Sequence, residues 1–126
     1  MQILSSRVIL HPVDLAQSRR FYEDVLGFHV AREWGVGVAY FLGGGLLELS
    51  AISLDRDALS PARSTTLWLQ IPSLTGVESD LAVRGVAVLK PTETMPWGLR
   101  ELWVTDPDGN ELRLVEVPDD HPLRRR

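Results

Sequence analysis

Extended chain alternates its side chains, and five stretches of this sequence use the alternation to put chemically capable groups on one side and aliphatic groups on the other. The capable side carries Arg7 and His11; Glu48 and Ser50; Thr66, Trp68 and Gln70; Glu101 and Trp103; and Glu111 and Arg113. These residue types support three kinds of chemistry. A carboxylate or imidazole, from Glu48, Glu101, Glu111 or His11, can act as a general base. A guanidinium, from Arg7 or Arg113, can grip a carboxylate or phosphate through paired N–H groups. Indoles can stack planar ligands or carry cations over their faces. A wholly wet sheet face would not favour two tryptophans, so the pattern points to a partly enclosed pocket with apolar walls and a few convergent polar groups. Trp97, beside Gly98, and Trp34, beside Gly35, sit where loops can form a lip.

The elements that must position these groups are written twice. Arg7 to His11 reads as a strand ending at Pro12, and Asp14 then suits a helix N-cap with Gln17 completing a capping-box pattern. Leu15, Tyr22, Val25 and Leu26 recur at helical spacing, and Gly27 supplies a left-handed stop. Strands follow at Phe28–Trp34, Val36–Leu42 and Leu46–Ile52, divided by Gly35 and by the Gly43–Gly45 run. The second copy has a strand at Thr65–Ile71 and a helix opening at Ser73, with Leu74, Val77 and Leu81 on one side and Gly85 as its stop. A short strand Val86–Leu89, a loop Lys90–Pro96 and a hairpin of Leu99–Thr105 with Glu111–Val117 complete it. The turn Asp106-Pro-Asp-Gly-Asn110 has the chemistry of a hairpin turn; its D-x-D spacing lacks the terminal Glu of a calcium loop.

These elements predict one α+β domain over residues 1–126, made of modules 5–52 and 64–117 joined by a polar linker at 53–63. Two such modules, with mixed sheets curled side by side, enclose a shared cleft. The aliphatic side, with Val8, Leu10, Leu47, Leu49, Leu67, Leu69, Ile71, Leu102, Val104, Leu112 and Leu114, must lie under the helices.

The bulk properties exclude several functions. The 126 residues suit one domain, and 44% apolar with 24% charged residues is ordinary for a globular protein. No apolar run approaches the ~18 residues of a membrane helix, and the first residues lack a secretory pattern, so a cytoplasmic location is expected. With no cysteine there is no disulfide, thiolate zinc site or cysteine nucleophile. A net charge of −4 argues against general nucleic-acid binding, and the basic His121–Arg126 end reads as a solvated tail.

The stretch Asp14-Leu…Ser18-Arg-Arg-Phe-Tyr-Glu-Asp-Val-Leu-Gly-Phe28 resembles the helix signature of the vicinal oxygen chelate superfamily, which includes glyoxalase I, extradiol dioxygenases and bleomycin resistance proteins. Pro96-Trp-Gly-Leu-Arg-Glu-Leu-Trp-Val-Thr-Asp-Pro-Asp-Gly-Asn110 and Leu67-Trp68-Leu69-Gln70-Ile71 look most like the bleomycin-resistance branch. The resemblance implies a fold of two βαβββ modules and a homodimer. It also implies that enzymatic members hold a divalent metal through one inward residue on the first and last strand of each module. Those slots fall here on Arg7, Glu48, Thr66 and Arg113.

Arginine has no lone pair to give a metal, and two guanidinium groups repel a cation. The quartet therefore predicts no metal and no other cofactor, with Glu48 pairing with Arg7, Arg113 or both. A site relocated to His11, Glu48 and Glu111 is the metal-binding alternative. The reading favoured by the residues is a non-catalytic binder of a planar or aromatic compound, using Arg7, His11, Glu48, Thr66, Trp68, Trp97, Trp103 and Arg113. The acidic net charge would suit a cationic drug, whereas the arginines argue against bleomycin itself. The competing readings are a glyoxalase-like lyase, isomerase or dioxygenase, and a metal-independent enzyme with His11 or a glutamate as base.

Overall fold

The computed structural model describes residues 1–51 and 65–124; the expected linker at 53–63 lies outside the described residues. The chain divides into two compact units, Met1–Arg63 and Ser64–Arg126. Each contains one four-stranded mixed sheet with few helical turns. In the first unit the strands are β1 (Arg7–Leu10), β2 (Val30–Trp34), β3 (Gly37–Leu42) and β4 (Gly45–Ser50), in the spatial order β1-β4-β3-β2. In the second they are β5 (Thr66–Gln70), β6 (Val88–Thr94), β7 (Arg100–Thr105) and β8 (Glu111–Glu116), in the order β5-β8-β7-β6. The first strand of each unit runs parallel to the last, and the other pairings are antiparallel. The two units thus repeat one βαβββ topology.

Helix α1 (Leu15–Arg19) starts where expected, with the Gln17 amide donating to the Asp14 carboxylate at 3.0 Å. It then departs from the expected regular helix. Residues Arg20–Val25 are wound as a π-helix, and the Leu26 amide reaches back five residues to the Phe21 carbonyl at 3.0 Å. The wider turn buries Ser18, Phe21 and Tyr22, while Leu15, Val25 and Leu26 are only half-buried, so the apolar stripe is rotated from the expected one. Gly27 closes the segment at φ +74, in the left-handed region where a side chain is disfavoured. Arg19 forms a two-point contact with Glu23 (2.6 and 3.2 Å) and reaches Glu33 at 2.9 Å, and the buried Tyr40 hydroxyl donates to Glu23 at 2.7 Å. The Arg19 guanidinium holds the Glu23 carboxyl below its ordinary range, and burial raises the Tyr40 phenol.

Helix α2 (Val77–Val83) begins four residues later than the sequence suggests. Ser73 uses its hydroxyl to accept the Thr75 amide in a local turn, and Gly76 at φ +75 opens the helix instead. Leu74 and Leu81 are buried as expected. Strand β6 extends through Lys90–Thr94, part of the stretch Lys90–Pro96 expected to be a loop, and it carries Pro91. That strand is the last in its sheet order, where a missing N–H breaks no ladder, and two register shifts accommodate the proline. The Thr92 amide donates to Glu78 at 2.6 Å, tying α2 to β6 and lowering the Glu78 carboxyl.

The aliphatic side of each sheet forms its core. Leu10, Val38, Tyr40, Leu47 and Leu49 are buried in the first unit, and Leu67, Leu102, Val104, Leu112 and Leu114 in the second. Each buried leucine contributes about 2 kcal/mol of transfer free energy before ordering costs. Val8 is an exception, being exposed on the short strand β1.

Candidate ligand site

In the first unit, Arg7 on β1 and Glu48 on β4 lie diagonally across a parallel pair whose register sets Ile9 opposite Glu48. Their side chains meet, with Arg7 Nη1 donating to Glu48 Oε1 at 2.7 Å. Glu48 is largely buried at 13% exposure, while Arg7 is half in water at 47%. His11 lies just beyond β1, exposed, and no hydrogen bond among the described residues joins it to this pair.

In the second unit, Thr66 on β5 faces Glu111 on β8, and Arg113 lies two residues further along β8. Glu111 Oε2 accepts from both, from Arg113 Nε at 2.8 Å and from the Thr66 hydroxyl at 3.3 Å. Arg113 is thus neutralised by its neighbour Glu111, a residue expected as a general base or an alternative metal ligand and not as this arginine's partner.

The register continues across this sheet. Trp68, Arg113, Trp103 and Lys90 stand opposite one another on β5, β8, β7 and β6. The Arg113 guanidinium carbon lies 3.9 Å from the centre of the Trp103 ring, and Lys90 Nζ lies 5.2 Å from it. These are cation–π distances, approached from opposite flanking strands. Trp103 also donates its indole N–H to Glu101 Oε1 at 2.8 Å, and Trp97 donates to Glu101 Oε2 at 2.6 Å. Glu101 is 1% exposed. A carboxylate removed from water this completely requires donors on its oxygens, and the two indoles supply them.

Trp97 is carried by a tight loop closed by Met95 and Leu99, both buried, with Gly98 at φ +91. His121 packs behind it, its Nδ1 accepting the Leu123 amide at 3.2 Å and its Nε2 lying 3.4 Å from the Trp97 carbonyl. Trp97 remains 53% exposed and Trp68 48%, whereas Trp103 is enclosed by the protein's own charges. Glu101 and Lys90 were missed as partners. The i−4 and i+2 spacing of Trp97 and Trp103 about Glu101 was the available signal for the first, and the second lies in the stretch expected to be a loop.

A divalent metal, as held by enzymes of similar fold, does not fit these residues. Among the described residues no three His, Asp or Glu side chains converge on one point. Arg7 and Arg113 cannot ligate, and Glu48 is committed to Arg7. A separate shallow groove of about 460 Å³ beside α2 is lined by Leu74, Thr75, Ser79, Thr92 and Arg100 among others, away from the tryptophans.

Two βαβββ units of this topology define the fold class shared by glyoxalases and their relatives. The family model of the Glyoxalase/Bleomycin resistance protein/Dioxygenase superfamily matches residues 6–114, and the chain belongs to that superfamily. A solved member of this superfamily from Sphaerobacter thermophilus is 27% identical, covers 91% of this chain and 98% of its own, and has a TM-score of 0.74. A lactoylglutathione lyase from Agrobacterium tumefaciens (19% identity, 87% and 90% coverage, TM-score 0.68) shares the fold. So does TioX from a Micromonospora species (17% identity, 90% and 98% coverage, TM-score 0.71). No curated protein matches the chain. No described helix is long and apolar enough to cross a membrane.

Proposed function

We propose that this chain is a metal-independent small-molecule binding protein, similar in role to bleomycin resistance proteins, that sequesters a planar or aromatic compound against tryptophans over an Arg and Glu floor. One observation carries the proposal: the groups at the family's metal positions are consumed by ion pairing within each unit. Arg7 closes on Glu48, and Arg113 and Thr66 share Glu111. This arrangement supports binding without a Lewis acid, while Trp68 and Trp97 keep open indole surface. The proposal includes a homodimer, as the family resemblance implies, and a cytoplasmic location.

Two measurements test it. Elemental analysis of protein purified without chelator is expected to find far less than one divalent ion per chain; a stoichiometric ion would sink the proposal. Equilibrium dialysis against a panel of planar aromatic compounds, antibiotics included, is expected to show saturable retention of at least one member.

A further inference from the structure

The second unit narrows the ligand further, on the reading that the chain binds a planar compound. Trp103 cannot serve as the stacking wall. Arg113 and Lys90 cover it from either flank, and its N–H is held by Glu101. Trp68 differs. It sits on a terminal strand of the sheet, has Arg113 as its only in-register neighbour among the described residues, and is 48% exposed.

Arg113 is held in a single attitude by two contacts. Its Nε donates to Glu111 at 2.8 Å, and its plane packs on Trp103 at 3.9 Å. The two terminal nitrogens carry four further N–H groups, and among the described residues none has an acceptor, although the side chain is only 33% exposed. The carboxylates of this face are otherwise committed. Glu101 is sealed by two indoles, Glu111 Oε2 serves Arg113 and Thr66, and Glu93 holds Lys90 at 2.9 Å. The group still wanting a partner is therefore a pre-set donor fork beside an open indole.

We infer that this face takes an aromatic carboxylate, its ring against Trp68 and its two oxygens on the terminal nitrogens of Arg113. A planar fork meeting a planar carboxylate forms two parallel charge-assisted hydrogen bonds. A cationic ligand finds no equivalent, because every carboxylate on the face already has donors. Three carboxylates stand here against two cations, so the selectivity comes from fork geometry and not from a positive field. It is correspondingly moderate.

Calorimetric titration of the full chain with 2-naphthoate, its neutral isostere 2-naphthamide and the cation 2-naphthylmethylammonium tests the assignment. Naphthoate is expected to bind about tenfold more tightly than naphthamide. Arg113→Met should make those two equal, Arg113→Lys should restore only part of the difference, and Trp68→Leu should weaken both by about tenfold. The wild-type comparison decides even if a variant folds poorly. Equal affinity of naphthoate and naphthamide overturns the carboxylate assignment and leaves the planar-binder reading standing. Tightest binding of the cation also overturns it. If no probe binds, the carboxylate assignment falls, and the dialysis panel decides the planar-binder reading.

Discussion

The two units share a topology and differ in what they hang on it. Across the first sheet, one row reads Ile9, Glu48, Ala39, Arg32. The matching row of the second reads Trp68, Arg113, Trp103, Lys90. A small residue, Ala39, stands where the second unit has an indole clasped by cations. Two residues back along the strand, Gly37 stands where the second unit buries Glu101. The first unit brings an indole to that corner by another route: Trp34, opposite Gly37, lies so close that a Cβ on Gly37 would sit 2.7 Å from its ring. The same backbone thus supports a row with a small residue at its centre and charges beside it in one copy, and an indole clasped by cations in the other. Topology supplies positions, and the side chains at those positions decide the chemistry.

The comparison can be broken at its strongest point. Glu101→Leu removes the acceptor for two indole N–H groups and should cost about 3 kcal/mol in denaturant unfolding, since one of them lies in an enclosed setting. A loss under about 1 kcal/mol would show that Glu101 is a passenger. Gly37→Ala probes the equivalent corner of the first unit. Its new methyl would meet the Leu49 carbonyl at 2.6 Å as well as Trp34, so a loss of about 2 kcal/mol is expected by the same measurement. A neutral result would mean that Trp34 moves aside freely.

A smaller effect is read by pH in the first unit. Glu23, in the first unit, has a carboxyl lowered by its contact with Arg19. Its contribution is therefore present above the unfolded value near 4.5 and is lost as pH falls through the lower folded value. Wild type should lose stability on acidification below about pH 4.5 more steeply than Glu23→Gln, read as the shift of the urea midpoint. Parallel curves would remove Glu23 from the account.

Much of the backbone was legible in the residues. The Asp14 cap, the stops at Gly27 and Gly85, and the alternation of the strands each rest on local chemistry that tertiary packing did not override. The π-wound turn at Arg20–Val25 was not legible, because it follows from how Phe21 and Tyr22 must enter the core. The full length of strand β6 was not legible, because a strand carrying Pro91 is tolerated at the end of a sheet and strand order is not written in a periodicity. The site was legible as a list and not as a circuit. Arg7 with Glu48 was among the expected pairs. Glu111 with Arg113 and Glu101 with Trp103 are pairs two residues apart on one strand, so alternation put them on one face without saying that they would bond, and Trp97 reaches Glu101 only through the loop closure at Met95 and Leu99.

The enclosure of Trp103 has a consequence for spectroscopy. With cations on both flanks and a carboxylate on its nitrogen, that half-buried indole has a more polar and more constrained setting than the exposed ones. Trp68 and Trp97 keep about half of their surface in solvent. The four tryptophans are therefore unequal reporters. Trp68 and Trp97 are the most exposed of the four, so a neutral quencher such as acrylamide reports most strongly on them, and it is in that fraction, not in the total intensity, that occupancy of the second sheet would be read.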